Sequence, residues 1–322
     1  MKEILEIRDL KTYFHTDDGV AKAVDGVSFK LHKGETLGLV GESGCGKSVT
    51  ALSILKLLPE GVGKIEGGKI LFDGSDLTAM SKEEIRKIRG NRIGMIFQEP
   101  MTSLNPAYTC GSQIAEVFRT HLNISAKEAR EKTIEIMKRV RIPSPEQRFG
   151  EYPHQLSGGL RQRVMIAIAL ACKPDVLIAD EPTTALDVTV QSGILALIKE
   201  LQEESGMSVM LITHDLGVVA ETCGRVIVMY ASKIAEEGSI DEIFGNAKHP
   251  YTKRLLESIP SMKEQKDKLP TIEGTVPSSL NYPSGCRFRT RCLIADGECE
   301  KEPPNIKITE THFASCFKIN LS

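Results

Sequence analysis

The chain has 322 residues, of which 41% are hydrophobic and 26% are charged, and its formal net charge is −2. This length suggests about two domains, and the composition is ordinary for a soluble globular protein. No long basic run occurs, and no apolar run approaches the roughly 18 residues of a membrane span, which argues against a nucleic-acid stripe and against an integral membrane protein. The acidic start lacks the pattern of a signal peptide, so we expect a cytoplasmic protein.

Strands and helices alternate along roughly the first 245 residues. Periodicity predicts strands over residues 3–10, 24–31, 36–40, 68–72, 93–98, 175–179 and 208–213, a hairpin over 226–229 and 232–237, and helices over 48–58, 81–89, 111–140, 161–172, 190–204 and 216–223. Ser81 followed by Glu84 predicts a capping box. This alternation indicates a largely parallel α/β sheet, and the strand-free segment 99–160 indicates a helical insertion in it.

A glycine-rich segment, Gly-Glu-Ser-Gly-Cys-Gly-Lys-Ser at residues 41–48, fits the phosphate-loop pattern G-x-x-x-x-G-K-[ST]. It lies between a predicted strand and a predicted helix, which is the context that this motif requires. Its glycines let backbone N–H groups point at phosphate oxygens, and the helix N-terminus favours the anion. We therefore expect Lys47 to reach the β- and γ-phosphates and Ser48 to ligate Mg²⁺.

Two acidic residues, Asp180 and Glu181, follow a predicted buried strand. In a phosphate-loop ATPase, Asp180 can hold Mg²⁺ and Glu181 can polarise the attacking water. His214 follows another strand and could contact the γ-phosphate, although a lone histidine there is more often structural.

The segment Leu156-Ser157-Gly158-Gly159, with Arg161-Gln162-Arg163 after it, makes the chain resemble the ATP-binding subunits of ABC transporters over about residues 3–245. The resemblance implies an α/β P-loop NTPase fold of the ABC type, with a RecA-like core, a β subdomain and a helical insertion at about residues 99–160. A small Cys-rich C-terminal domain over residues 246–322 would follow this nucleotide-binding domain of residues 1–245.

The same resemblance implies roles for individual residues. Gln98 would sense Mg²⁺ and water, Asp187 would couple the two ATP sites of a dimer, and His214 would be the switch histidine. Tyr13, or alternatively Phe14, would stack on adenine. The remaining implied contacts to ATP are Ser43, Gly44, Cys45, Gly46, Lys47, Ser48 and Val49 on the same chain, and Ser157, Gly158 and Gly159 on the ATP of the opposite subunit.

Two positions depart from the common family pattern: Leu160 stands where glutamine often follows the signature, and Val49 where threonine often follows Ser48. Neither change removes a catalytic group, so we expect a competent site. The implied mechanism closes two ATPase domains head to tail over two ATP molecules. Lys47 and Mg²⁺ would neutralise charge and Glu181 would act on water, and hydrolysis would reopen the dimer.

The resemblance narrows to the dipeptide and oligopeptide importer ATPases through residues 98–106, 269–277 and 285–292. It implies a heterodimer with a paralogous ATPase, two transmembrane permease subunits, and an extracellular peptide-binding protein that acts indirectly. The chain would then lie at the cytoplasmic face of the membrane, with no nucleic-acid partner. Nickel importers share this tail and are an alternative.

Four cysteines, Cys286, Cys292, Cys299 and Cys316, lie close together in the sequence of the tail, with spacing C-x5-C-x6-C-x16-C. This is not the tight pairing of common zinc sites. Resemblance to the dipeptide subgroup implies a [4Fe–4S] cluster; Zn²⁺ and free thiols are the alternatives. Three arginines between the first two cysteines, Arg287, Arg289 and Arg291, would offset the charge of a cluster or form a solvated basic strip.

Two other classes of function compete with a transport ATPase. An ABC ATPase acting on ribosomes or DNA usually carries two ATPase domains or a long coiled coil, whereas this chain has one phosphate loop and no heptad run. A nucleic-acid-binding metal module in the tail is disfavoured by the absence of interleaved basic and aromatic residues.

Overall fold

The computed structural model describes residues 2–184, 186–258 and 272–319. The chain divides into two compact units. The helical unit comprises Met1–Lys2, His32–Glu35 and Met80–Met210, and the phosphate-loop unit comprises Glu3–Leu31, Thr36–Ala79 and Leu211–Ser322.

Strands and helices alternate through most of the chain. The strands are β1 (Glu3–Thr16), β2 (Gly19–His32), β3 (Thr36–Val40), β4 (Gly63–Phe72), β5 (Ser75–Asp76), β6 (Ile93–Ile96), β7 (Val176–Asp180), β8 (Ser208–Ile212), β9 (Arg225–Tyr230), β10 (Lys233–Ser239), β11 (Asn305–Lys307) and β12 (Phe313–Ser315). The helices are α1 (Lys47–Ile54), α2 (Lys82–Ile88), α3 (Pro100–Ser103), α4 (Cys110–Leu122), α5 (Ala126–Arg139), α6 (Pro145–Arg148), α7 (Gly158–Leu170), α8 (Val188–Ser205), α9 (Leu216–Thr222), α10 (Ile240–Asn246) and α11 (Pro250–Glu257), with short 3-10 turns at Pro153–Gln155 and Gly297–Glu300.

The phosphate-loop unit contains one four-stranded sheet in the order β2-β1-β4-β5 and a run of strands in the order β11-β12-β10-β9-β3. Strand β3 pairs in parallel with β9, as the predicted α/β pattern requires. The predicted hairpin is β9 and β10, which pair antiparallel. Strands β12 and β11 extend this sheet, also antiparallel, so the sheet is mixed rather than largely parallel.

In the helical unit, β6 and β7 pair in parallel and β8 begins beside β7. All five residues of β7 are buried. This burial matches its sequence, which is apolar throughout except for Asp180 at its end. Helices α3 to α6 occupy the segment for which the sequence predicts a helical insertion. The predicted helix over 111–140 is two helices, because Asn123 adopts a left-handed φ of 51° and ends α4.

Capping boxes begin several helices. Ser81 and Glu84 cap α2 reciprocally, as predicted, and Ser125 with Glu128 does the same for α5. In the phosphate-loop unit Ser239 and Glu242 cap α10. These side chains satisfy N–H groups that the first turn of a helix leaves unpaired.

The tail joins the phosphate-loop unit through strand pairing as well as through side chains. Strand β12 pairs with β10, with Ala314 opposite Glu236. The Glu236 carboxylate is buried and accepts hydrogen bonds from the backbone of Lys248 and His249, and it lies 2.7 Å from Nε2 of the buried His312. The boundary at residue 246 stays a prediction. Among the described residues, no helix is both long and apolar enough to traverse a bilayer.

Candidate functional site

The phosphate loop connects β3 to α1 in a conformation that requires glycine. Gly41 has φ of 148°, and a Cβ there would lie 2.1 Å from the Met229 carbonyl oxygen. Gly46 has φ of 103°, and a Cβ there would lie 2.3 Å from the Ala23 carbonyl oxygen. A side chain at either position would therefore displace the backbone of the neighbouring strand, and the loop keeps its shape only with glycine.

The Lys47 side chain is buried at the mouth of the loop. Its Nζ donates to the carbonyl oxygens of Gly41 at 2.7 Å and Glu42 at 3.1 Å. The thiol of Cys45 lies 3.7 Å from the same amine and is fully buried, and burial raises its pKa. Ser43 and Gly44 are exposed at the tip of the loop, where backbone N–H groups can meet a phosphate.

Tyr13 is connected to the phosphate loop through two intermediate residues. Its hydroxyl donates to Asp25 Oδ1 at 2.6 Å. The Asp25 N–H donates to the Ser232 carbonyl oxygen, and the Ser232 N–H donates to the Cys45 carbonyl oxygen, both at 3.0 Å. Burial, the hydrogen bond to Asp25 and the Asp25 charge raise the pKa of Tyr13 to about 12, so its hydroxyl stays protonated.

Phe14, the alternative aromatic, packs elsewhere. Its ring lies against Gly63, where a Cβ would come within 3.0 Å of the Phe14 ring and 3.1 Å of Leu58. These contacts connect Tyr13, rather than Phe14, to the phosphate loop.

His214 is exposed just beyond the carboxyl end of β8. The preceding residue, Thr213, donates its N–H to Leu39 of β3 at 3.4 Å, so β8 ends beside the strand that leads into the phosphate loop. Asp215 caps α9 by accepting the N–H groups of Gly217 and Val218. Together, β8 and this cap hold His214 at the sheet edge that carries the phosphate loop.

In the helical unit, Asp180 ends β7 and is buried, with 4% of its surface exposed. Glu181 follows with a left-handed φ of 46°, which is unusual for a residue with a side chain and is a form of strain found at functional sites. Its Oε2 accepts a hydrogen bond from Gln98 Nε2 at 3.1 Å and another from the Thr184 hydroxyl at 2.8 Å.

The contact between Gln98 and Glu181 follows from strand pairing. Strands β6 and β7 are parallel neighbours, and Gln98 and Glu181 come just after their respective carboxyl ends. The sequence predicts both residues but not their direct contact, and it gives no indication of Thr184. The signal that could identify Thr184 is its position three residues after Glu181, within the same turn.

The signature residues lie at the start of α7. Ser157 is the N-cap, and both Ser157 and Gly158 are exposed. Asp187 is the exposed N-cap of α8 and accepts the Val190 N–H at 2.9 Å. A Cβ on Gly159 would lie 3.0 Å from Val190, so the starts of α7 and α8 are in contact. The start of α7, which has a neutral N-cap, suits an anion, whereas the start of α8 is already capped by the Asp187 carboxylate.

The four tail cysteines occupy one neighbourhood of the phosphate-loop unit. Burial, together with the nearby thiols of the other three cysteines, raises the pKa of Cys286 to about 11. Cys292 and Cys316 also have raised pKa values, through burial and through neighbouring cysteines of this set. In the described parts of the chain, however, no three His, Cys, Asp or Glu side chains are arranged to hold a metal ion. Thiolates suit iron or zinc, but their arrangement here is not a preformed metal site.

Two tail arginines contact the region around the phosphate loop, a role that the sequence does not predict for either of them. Arg291 pairs with Glu42, and Arg287 pairs with Asp25. They therefore do not form a solvated strip. Arg289 bonds to Ser284, in the turn just before Cys286.

Comparison with known proteins agrees with this geometry. The family described as "ABC transporter" matches residues 24–184, and the family described as "Oligopeptide/dipeptide transporter, C-terminal region" matches residues 235–299. The chain belongs to the ATP-binding subunits of ABC transporters, and it is an ATPase of that family.

Relatives match along almost the whole chain. A probable peptide ABC transporter ATP-binding protein, y4tR of Sinorhizobium fredii, is 53% identical over 98% of this chain and 95% of its own. The oligopeptide transport protein AppD of Bacillus subtilis is 52% identical over 95% of this chain and 93% of its own. The dipeptide transport protein DppD of the same organism is 49% identical over 98% of this chain and 95% of its own.

Solved structures of similar fold are also ABC ATPases. The dimeric ATP-binding cassette MJ0796 bound to ADP and Pi has a TM-score of 0.67 and 28% identity, and the match covers 74% of this chain and 99% of that one. CbiO1 from Clostridium perfringens has a TM-score of 0.63 and 29% identity, and the match covers 76% and 92% of the two chains.

Proposed function

We propose that this chain is the ATP-hydrolysing subunit that powers peptide import by an ABC transporter. The observation that carries the chemistry is the Glu181 carboxylate, which Gln98 and Thr184 hold on a strained backbone at the end of a buried strand. The observation that carries the substrate class is the match of the tail to the oligopeptide/dipeptide transporter C-terminal region.

In the proposed reaction, the oxygen of a water molecule attacks the γ-phosphorus, the bond to the bridging β-phosphate oxygen breaks, and ADP and phosphate leave. Lys47 offers a positive charge to the β- and γ-phosphates once its amine leaves the loop carbonyls. Glu181 accepts a hydrogen bond from the attacking water and orients it, while His214 contacts the γ-phosphate. By resemblance to the family, the side-chain oxygens of Ser48, Gln98 and Asp180 would hold Mg²⁺, and the bound ion would neutralise charge on the phosphoryl group.

The exposed starts of α7 and α8 support a second part of the proposal. Ser157, Gly158 and Gly159 would meet the ATP of a paralogous ATPase in a head-to-tail heterodimer, and Asp187 would couple the two ATP sites. The solved cassette MJ0796, which is similar to this chain, is described as a dimer bound to ADP and Pi. Closing and reopening of this dimer would move two transmembrane permease subunits that dock on helices α3 to α6, at the cytoplasmic face of the membrane.

The transported substrate is proposed to be a dipeptide or oligopeptide, delivered by an extracellular binding protein. The relatives described above carry names of peptide, oligopeptide or dipeptide transport proteins. These names favour a peptide over nickel as the transported substrate, although nickel importers share the tail pattern.

We also propose that Cys286, Cys292, Cys299 and Cys316 bind a [4Fe–4S] cluster, with Zn²⁺ as the alternative. Four thiols in one neighbourhood, each at least half-buried, support this. Binding would require the segments around them to close, since no ready-made site exists in the part of the chain described.

The first test concerns Glu181. Glu181→Gln keeps the hydrogen-bonding shape but removes the charge that orients water, so turnover of ATP should fall about 100-fold or more while ATP binding persists. Steady-state phosphate release and equilibrium ATP binding measure the two quantities. Glu131→Gln, on the exposed face of α5, is the matched control. Near-normal turnover of the Glu181→Gln protein would show that Glu181 does not orient the attacking water.

The second test concerns the tail thiols. Protein purified without oxygen should contain about four iron and four sulfide per chain if the cluster forms, and Cys286→Ser should lose most of both. Cys223→Ser, at a buried cysteine outside the tail, is the control. A content of one zinc and no iron per chain would indicate a structural zinc site instead of the cluster. Absence of both metals would indicate that the thiols are free.

A further inference from the structure

The segment between the first two tail cysteines, residues 286–292, contacts both ends of the proposed ATP site within the phosphate-loop unit. We propose that Arg287 and Arg291 of this cysteine loop are positioning residues for ATP: Arg291 neutralises and holds the phosphate loop through Glu42, and Arg287, through Asp25, holds Tyr13, the residue that would stack on adenine. This inference rests on the proposed ATP site, and it adds tail residues to that site.

The contact between Arg291 and Glu42 is a two-pronged, largely buried ion pair. Nη1 lies 2.7 Å from Glu42 Oε2 and Nη2 lies 3.1 Å from Oε1, and the Arg291 side chain is only 4% exposed. The remaining guanidinium N–H groups reach the carbonyl oxygens of Ile272 at 3.0 Å and Glu273 at 2.9 Å and the Tyr230 hydroxyl at 3.3 Å. A planar guanidinium held on all sides in this way fixes the carboxylate it binds.

Glu42 is the second residue of the phosphate loop, so its charge matters for a triphosphate. A carboxylate in the loop that receives the phosphates would repel them if it stood alone. The Glu42 N–H also donates to the Tyr251 hydroxyl at 3.0 Å, which ties the same residue to α11. Arg291 therefore removes an unfavourable charge and fixes the loop at the same point.

The contact between Arg287 and Asp25 acts on the other end of the site. Arg287 is buried, pairs with one Asp25 oxygen, and donates to the Ala231 carbonyl oxygen at 2.6 Å. The other Asp25 oxygen accepts the Tyr13 hydroxyl at 2.6 Å. The guanidinium also lies 3.9 Å above the Tyr282 ring. Tyr13 is thus held in place by a carboxylate that the tail itself fixes.

Phe288 anchors the loop between these two arginines. It is buried, and its ring centroid lies 5.1 Å from that of Tyr230 and 5.4 Å from that of Tyr251. Tyr251 is the residue whose hydroxyl receives the Glu42 N–H. The cysteine loop is therefore packed against the phosphate-loop unit by an aromatic core, with one arginine contact on each side of it.

The test is equilibrium binding of ATP and of inorganic tripolyphosphate to the purified full-length chain. Arg291→Gln should weaken both ligands about tenfold, because an unpaired Glu42 charge repels phosphate whether or not adenosine is attached. Arg287→Gln should weaken ATP several-fold and leave tripolyphosphate within about twofold, because Tyr13 contacts only the base. Arg289→Gln, in the same loop, is the matched control and should change neither affinity by more than about twofold.

A second variant separates charge from folding. If the loss in Arg291→Gln comes from Glu42, adding Glu42→Gln should restore tripolyphosphate binding to within about threefold of wild type, whereas a collapsed loop would not recover. Arg291→Lys keeps the positive charge. Its affinity for tripolyphosphate should therefore lie between those of the wild-type and Arg291→Gln proteins. Equal affinities for the Arg291→Gln and Arg289→Gln proteins, or no recovery in the double variant, would overturn the inference while the proposed ATP site stands. A wild-type chain that binds no ATP would instead overturn the proposed function and the inference with it.

Discussion

His249 illustrates how burial sets the charge of a single residue. His249 is the N-cap of α11, and its Nδ1 accepts the Tyr251 N–H at 3.0 Å. Its ring centroid lies 6.0 Å from that of Phe288. Burial lowers its pKa from 6.5 to about 4. The folded chain therefore holds a neutral imidazole at pH values where an unfolded chain would hold a charged one.

This difference predicts a loss of stability in mild acid. Because the folded pKa lies below the unfolded one, the stability from neutral His249 is fully present above about pH 6.5 and is lost as the pH falls to about 4. The loss should total roughly 3 kcal/mol. His249→Asn keeps a capping acceptor and removes the titration, so its free energy of unfolding, measured by urea denaturation at several pH values, should fall less steeply over this range. Parallel curves for both proteins would refute the assignment.

Among the helices, α10 shows how an ordinary cap can also hold a distant segment. Glu242 accepts the N–H and hydroxyl of Ser239 in the capping box, and it also accepts the hydroxyls of Thr309 and Thr311 from the tail. Burial alone would raise the pKa of Glu242, but these hydrogen bonds outweigh it and lower the pKa to about 2. One carboxylate thus stabilises both the helix start and the turn before β12.

A comparison of two capping boxes tests this double role. Glu128 makes the same contacts to Ser125 at the start of α5, and it bonds no other element in the described part of the chain. Glu242→Ala should therefore cost about 1 kcal/mol more than Glu128→Ala, after allowance for solvent screening. The excess should be present above about pH 4.5 and disappear as the pH falls towards 2, because a protonated Glu242 accepts fewer bonds. Equal costs at pH 7 would show that the threonine contacts add nothing.

The sequence predicts the elements whose residues carry their own local pattern. Strand β3, the Ser81–Glu84 cap and the phosphate loop follow from periodicity and from residue types at fixed spacing. The sequence does not predict strand β12, since three residues are too few to show alternation, and it does not mark Asn123 as the end of a helix. The pairs of Arg287 with Asp25 and Arg291 with Glu42 join residues 262 and 249 positions apart, and no local pattern encodes such a contact.

At the scale of the whole molecule, three tail residues pair with acids of the nucleotide-binding part of the same unit: Arg287 with Asp25, Arg291 with Glu42 and His312 with Glu236. The last pair is almost completely buried on both sides. Removal of His312 takes one hydrogen-bond partner from the buried Glu236 carboxylate, which keeps the backbone N–H groups of Lys248 and His249. Loss of a hydrogen bond to a carboxylate costs about 1.5–3 kcal/mol.

A chain that ends at Ser258 should therefore be much less stable than the full chain. It would lose the three partners and the pairing of β12 with β10. We expect its melting temperature to fall by about 10 °C or more, since each kcal/mol shifts a chain of this size by a few degrees. Differential scanning calorimetry of the two chains measures this. An unchanged melting temperature would show that the tail stabilises little beyond itself.

The pairing of Asp25 with Arg287 also has a consequence for synthesis on the ribosome. The ribosome adds 262 residues between these two partners, which takes about 13–50 s at roughly 5–20 residues per second. During that interval β2 has been synthesised, but Arg287, the partner of Asp25, has not. The nascent chain can thus form the Asp25–Arg287 contact only after Arg287 has been synthesised. Under the proposed role of this contact, full affinity for ATP also waits for that step.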